Sequence, residues 1–357
     1  MNLLLTKYPK NKMITVRKEG IVLEPTSLEF ENQGIFNPAC IEADGKIHLF
    51  YRAIGKNNTS SIGYCELKSP TEVLKRNDEP ILTPLDSYEK IGIEDPRIVK
   101  IEDTYYMTYT AYDGNNALGS LMTSKDLKSF ERQGILVPKF TYNEFHSILK
   151  SCNDIKDKYL RFVKFLHKRI GNNVANQLFI WDKNVVFFPR KINGQYAFLH
   201  RLYPDIQIVY FKEFGELTKS FWKNYLQNIR NFTVLESKFL FEASYIGSGC
   251  PPIETADGWL LIYHGVEDTK DGYIYHACAA LLDLQNPTIE IGRLNTPLFS
   301  PELEWEKIGI VNNVVFPTAS ILLEDQLYIY YGAADTCIGL ASVSLTELIT
   351  EIKNSSL

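Results

Sequence analysis

FNPACIEADGKIHLFYRAI, residues 36–54, reads as two strands folded about a tight turn. Proline follows Asn37, an apolar run leads to Asp44-Gly45, and an aromatic strand returns. Asp-Gly and Asn-Gly are strong hairpin signals because both residues accept positive φ. The plan recurs in EDPRIVKIEDTYYMTYTAYDG (94–114), FFPRKINGQYAFLHRLY (187–203), GCPPIETADGWLLIYHGVED (249–268) and FPTASILLEDQLYIYYGAADT (316–336). Their turns fall at Glu102-Asp103, Asn193-Gly194, Asp257-Gly258 and Glu324-Asp325. A third strand follows some copies, as SSIGYCEL (60–67) follows the first and IGLASVSL (338–345) the fifth. Five copies of a unit of several strands predict an all-β five-bladed β-propeller. The competing architecture is a β-sandwich whose hairpins repeat by chance.

Two stretches depart from the repeat. Residues 141–172 carry apolar side chains at helical spacing, Phe145, Ile148, Leu149, Cys152, Tyr159 and Phe162 among them, and lysines on the other face. This predicts a helical insertion between the second and third units, packed on the propeller, walling the leaving-sugar side or mediating a dimer. SLTELITEIKNSS (344–356) predicts a short C-terminal helix. No low-complexity linker divides the chain, so residues 1–357 are expected to form a single domain.

Composition narrows the class. The 357 residues are 45% hydrophobic and 13% aromatic, enough to fill a sizeable core and weighted toward strands. Lys and Arg number 38 against 43 Asp and Glu, so the net charge of −5 offers no global field for nucleic acid or an anionic membrane. Cys40, Cys65, Cys152, Cys250, Cys278 and Cys337 form no CxxC pair, which favours reduced, buried thiols over a zinc or redox site. The histidines at 48, 146, 167, 200, 264 and 276 lack metal-ligand spacing, so no metal is expected. The three leucines near the start are too few for a signal-peptide core, and no apolar run approaches the span of a bilayer. The expectation is a cytoplasmic protein with a small-molecule substrate, no nucleic-acid or membrane partner, and scope for a homo-oligomer.

In a propeller the ends of the hairpins gather about the axis. The polar residues at those positions are Asn37, Arg52, Asp95, Arg97, Lys191, His200, Arg201, Glu254, His264 and Asp335. One such group would be unremarkable, whereas ionisable groups at equivalent places in several repeats point to a site.

The motifs in order are FNPA (36–39), YRAI (51–54), GIEDPR (92–97), YYMTYTAYDG (105–114), TSKDL (123–127) and FERQG (130–134). They continue with FFPRKINGQYAFLHR (187–201), GSGCPPI (247–253), GWLLIYHGV (258–266), NVVFPT (313–318) and YYGAADT (330–336). Over roughly residues 30–345 the chain resembles glycoside hydrolase family 130, the mannoside phosphorylases and related β-mannosidases. The resemblance implies a five-bladed propeller and inverting cleavage of a β-mannosidic bond in a manno-oligosaccharide or mannosyl-glucose. In the phosphorylases inorganic phosphate is the co-substrate, no cofactor is used, and α-mannose 1-phosphate is released. It implies Asp95 as the proton donor, acting through a sugar hydroxyl. By the same resemblance Arg132, Lys191 and His264 hold phosphate, and Asn37, Arg52, Asp113, Arg201 and Asp335 hold sugar. Two departures are Leu118, where many phosphorylases of the family carry arginine, and Arg190, where an acidic residue is usual.

The residues leave the chemistry open. Glycosidic cleavage needs an acid at the leaving oxygen and a nucleophile on the opposite face. Pro96 fixes the backbone beside Asp95 and could aim its carboxyl inward, and Glu94 is the candidate neighbour to raise its pKa. A phosphorylase needs cations for phosphate and no protein base. A hydrolase needs a carboxylate base, for which Glu254, Glu267 and Asp268 are the candidates, Glu267 first. Tyr112 and Tyr203 are candidate stacking faces for sugar. A propeller that binds glycans without turnover is the reading from a different class.

Overall fold

The computed structural model describes residues 14–152, 158–162 and 172–355, and it is mostly β. Its strands fall into five antiparallel units of four, with one short extra strand in the fourth. The first holds Gly34–Ala43, Lys46–Ile54, Ser60–Ser69 and Glu72–Arg76; the second holds Gly92–Ile101, Thr104–Tyr112, Ala117–Ser124 and Glu131–Ile135. A single parallel bridge, Ser60 to Gly92, joins these two. The third comprises Lys183–Phe187, Tyr196–Arg201, Ile206–Phe211 and Thr233–Leu235. The fourth comprises Tyr245–Ser248 and the short Ile253–Thr255, both paired to Gly258–Thr269, then Gly272–Leu282 and Glu290–Arg293. The fifth is Val315–Leu323, Gln326–Ala333 and Cys337–Ser344, completed by the N-terminal strand Arg17–Leu23.

Local chemistry explains the hairpins. The residues named from sequence as turns take positive φ: Asp44 at 51°, Glu102 at 57°, Asn193 at 50°, Gly258 at 147° and Glu324 at 54°. Side chains then alternate across each strand, and both faces are buried. Leu49, Tyr51 and Ala53 enter a core shared with the fifth unit, while Phe50 between them enters one shared with the second. Leu260 and Ile262 likewise face the fifth unit, and Trp259, Leu261 and Tyr263 face the third. Every consecutive pair of units shares such a core, and the fifth shares one with the first.

The helical insertion is seen in part. Tyr142–Lys150 is a helix capped by Thr141, whose hydroxyl accepts from the Glu144 N–H, and 158–162 is helical; 153–157 and 163–171 lie outside the described residues. Phe145, Ile148, Leu149 and Tyr159 are buried in the core between the second and third units, as their spacing suggests. The lysine face is not wholly solvated: Lys158 reaches buried Asp205 at 2.5 Å and Glu236 at 3.2 Å. A further helix, Lys219–Gln227, packs on the first and had no counterpart in the sequence reading. The C-terminal helix Leu345–Asn354 begins at Ser344, whose side chain accepts from the Glu347 N–H.

Candidate active site

Three first strands open with an Asn or Asp in the left-handed region: Asn37 (φ 48°), Asp95 (φ 51°) and Asn184 (φ 57°). At each the strand register slips, between Phe36 and Ala39, Glu94 and Arg97, and Lys183 and Val186. Such bulges re-aim side chains, and Asx residues tolerate this backbone better than bulkier ones. The result is that Asn37 Nδ2 donates to Asp95 Oδ1 at 2.9 Å. Close approach also requires Gly332, since a Cβ there would meet Asn37 Oδ1 at 2.0 Å.

Arg52 organises the carboxylates. Its guanidinium reaches Glu94 Oε1 at 2.7 Å and Asp95 Oδ1 at 3.4 Å, and its Nε donates to Ser60 Oγ at 2.9 Å. Lys183 Nζ lies 3.9 Å from the other Glu94 oxygen. Arg97 staples the bulge from behind, Nη1 donating to the Asp95 and Pro96 carbonyls and Nε to the Gly249 carbonyl of the fourth unit at 2.6 Å. Burial works to raise the Asp95 carboxyl, but Arg52, Arg97, Asn37 and Lys183 together outweigh it and hold it below the usual carboxylate range. Glu94 therefore does not lift Asp95 above the carboxylate range as the sequence suggested, because the cations around Asp95 outweigh what would raise it. The raised carboxyl is Asp335: burial lifts it to about 6, with Asp95 and Glu94 adding to the rise and Arg52 opposing it. Asp335 sits at φ 52° in the turn between the last two strands of the fifth unit.

A second group is rich in donors. Arg201 Nη1 donates to His264 Nε2 at 3.3 Å. Burial, with Arg201 and Arg97 adding to it, drives His264 well below its ordinary pKa, so the ring is neutral. With Nε2 accepting, the ring proton sits on Nδ1. Gly247 is needed here, as a Cβ would fall 2.5 Å from His264 Cε1 and 2.6 Å from Asn184 Nδ2. His264 Nδ1, Arg201 Nε, Asn184 Nδ2 and Arg97 Nη2 are all buried and none has a hydrogen-bond partner among the described residues. Burial pulls Arg97 down to about 10, with Asp95 opposing, so it keeps its charge at neutral pH. No ion pair joins Arg201 to a carboxylate among the described residues. Buried donors of this kind are costly unless an acceptor arrives, which makes the group suited to an anion. Lys183 and Asn184 were not among the candidates from sequence, whereas Arg97 was named there as an axial polar residue without a role; the Lys-Asn pair before the apolar run VVFF was the available signal.

Other expected residues go elsewhere. Lys191 pairs with Glu102 at 2.9 Å, in the hairpin turns at the far end of the first strands. Glu102 follows the end of the strand that carries Asp95, six residues (96–101) lying between them, roughly 20 Å. Glu254 is bound by Arg190 at 2.5 and 2.7 Å at that same end, where residues of all five units line a cavity of about 390 Å³. Arg132 lies on the outermost strand of the second unit, bonded to Glu89 and the Thr83 carbonyl. Glu267 packs against His276 at 3.3 Å. His200 is fully buried between Asp182 and Tyr225, at 2.7 Å from each. Both Asp113 oxygens are engaged in its own turn by Asn115 and Asn116. Leu118 is buried in the core between the second and third units, with its backbone bridged to Asp182. The structure thus brings together Asn37, Arg52, Asp95 and Asp335, joins Arg201 to His264, and separates Arg132, Lys191 and Glu254 from them.

Two aspartates held among arginines and amides, on a mostly β scaffold, form a site of the kind that a carbohydrate-active enzyme uses. Residues 8–183 and 165–354 match the model of glycoside hydrolase family 130, described as β-1,4-mannooligosaccharide phosphorylase, and the chain belongs to that family of enzymes acting on β-mannosides. It is 33% identical over 349 residues to a 1,2-β-oligomannan phosphorylase of Thermoanaerobacter sp. (strain X514), covering 94% of this chain and 99% of that one. A β-1,2-mannobiose phosphorylase of the same organism is also 33% identical, over 88% of this chain and 91% of its own. In fold the chain matches the β-1,2-mannobiose phosphorylase of Listeria innocua in complex with β-1,2-mannobiose. That match has a TM-score of 0.70 at 23% identity and covers 95% and 99% of the two chains.

Proposed function

We propose that this chain is one five-bladed β-propeller domain that cleaves a β-mannosidic bond, β-1,2 in the first instance, by inverting phosphorolysis to α-mannose 1-phosphate. The shared core between every pair of neighbouring units, including fifth with first, supports the propeller. The observation that carries the reaction is the set of four buried donors without acceptors, on Arg97, Asn184, Arg201 and His264. A phosphate dianion is an acceptor of the kind these donors lack, and it needs no protein base. Neither Glu254 nor Glu267 stands free beside Asp95 to activate water, which weighs against hydrolysis. The names of two full-length relatives favour the β-1,2 linkage.

Asp95 serves as the acid, with Asn37, Arg52 and Asp335 holding the sugar whose hydroxyl relays the proton. In the free protein the arginines keep Asp95 ionised; a phosphate anion among them offsets their field and raises its pKa when a proton is required. Phosphate binding thereby couples nucleophile and acid.

Product analysis on β-1,2-mannobiose, with and without inorganic phosphate, tests the proposal. Mannose 1-phosphate formed only with phosphate is the expected result. Free mannose at a rate indifferent to phosphate would replace it with hydrolysis, and no product from any β-mannoside would leave a glycan-binding propeller.

A further inference from the structure

Trp181 stands at the entrance to the strand that carries Lys183 and Asn184, and it is 36% exposed. Its position is fixed from two sides. The indole Nε1–H donates to the Asn115 carbonyl at 2.9 Å, in the turn that Asp113 ties off. The next residue, Asp182, is anchored by backbone bonds with Ala117 and Gly119 and by its buried carboxylate on His200. The ring is therefore presented rather than loosely exposed, and a large aromatic held at a polar site has a reason to face solvent. One ring neighbour is Lys183, whose Nζ lies 5.0 Å from its centroid and 3.9 Å from Glu94. That lysine thus links the indole to the carboxylate beside Asp95.

The two aromatics beside the donor group, Tyr203 and Tyr245, are each engaged by a guanidinium and by another ring. Tyr203 is stacked on Phe162 at 4.9 Å and carries the Arg201 guanidinium 4.4 Å from its centroid. Tyr245 takes the same guanidinium at 4.9 Å and is bonded to Tyr275. Direction also separates them. Trp181 leans over the second unit through Asn115, whereas the donor group leans toward the fourth and fifth through His264 and Phe316, whose rings are 4.4 Å apart. Inversion needs nucleophile and leaving group on opposite sides of the anomeric carbon. With phosphate among Arg201, Asn184 and His264, the leaving sugar departs past Lys183 toward the indole.

We propose that Trp181 is the platform on which the leaving-side sugar of a β-mannoside stacks, making it a specificity-determining residue for chains longer than one acceptor unit. The proposal rests on the phosphorylase reading for its direction, and a binding measurement separates the two. Calorimetric titration of β-1,2-mannotriose and, separately, inorganic phosphate would be run on the wild type, W181A and W181F. The expected result is about tenfold weaker mannotriose binding in W181A, most of it restored in W181F, with phosphate affinity unchanged in both. Mannotriose affinity in W181A within about twofold of wild type would overturn it, as would equal weakening in W181F, which points to the Asn115 bond instead of the ring. No binding of mannotriose by the wild type would overturn it too. Tryptophan-dependent binding without mannose 1-phosphate formation would sink the phosphorylase reading and leave the platform standing.

Discussion

Replacing Arg201 by methionine separates phosphate binding from folding. Arg201 is 5% exposed and its guanidinium touches His264, Tyr203 and Tyr245, with no carboxylate bonded to it among the described residues. A charge-assisted hydrogen bond to phosphate is worth about 1.5–3 kcal/mol. Its loss should raise the KM for phosphate about 10- to 150-fold. Stability should move the other way or not at all. Methionine keeps most of the side-chain volume, so packing between the two tyrosines survives. The substitution forfeits cation–π contacts of about 1–2 kcal/mol, but it also removes a buried cation that has no counterion, whose desolvation costs several kcal/mol. The assay is the initial rate of mannose 1-phosphate release from β-1,2-mannobiose across a phosphate series, beside a thermal melt in phosphate-free buffer. A KM for phosphate unchanged in R201M would refute the anion-site assignment. A melting temperature many degrees lower would refute the claim that Arg201 is held at a cost to the fold.

Three further outcomes follow from the same geometry. Asp95→Asn should lower kcat about 10²- to 10⁴-fold while keeping the fold, since asparagine accepts the φ of 51° and still binds Asn37; near-normal turnover would remove Asp95 as the acid. Asp335 is raised in the folded state from 3.8 to about 6, so the native protein holds a proton there that the unfolded chain has lost. Stability from this group is full below about pH 4 and falls as pH rises toward 6, by about 3 kcal/mol at most; D335N should lack that fall in denaturant titrations across this window. Gly247→Ala would drive a methyl into His264 and Asn184, and the KM for phosphate should rise about tenfold while that for mannobiose changes little.

The sequence by itself determined the hairpins, because Asp-Gly, Asn-Gly and Glu-Asp turns and period-two strands are local chemistry. It also singled out Asn37 and Asp95 as candidates, by their place in the repeats and the proline that follows each, while the bulge that re-aims them is seen only in the structure. What it did not determine was which end of each hairpin meets the site. Aligning the repeats on proline works for the first two units, where Pro38 and Pro96 adjoin Asn37 and Asp95. In the third and fourth it fails: Pro189, Pro251 and Pro252 line the cavity at the far end, with Glu42 and Lys100. Lys191 and Glu254 were carried there by that shift, while the true counterparts in the third unit, Lys183 and Asn184, lay a few residues upstream. Arg132 was misplaced for another reason: an outer-strand arginine finds Glu89 only when a distant turn folds over it. The protonation pattern belongs wholly to the tertiary structure. Whether Asp95 or Asp335 keeps its proton depends on how deeply each is buried and how close Arg52 comes, and both distances are set by the packing of units far apart in the chain.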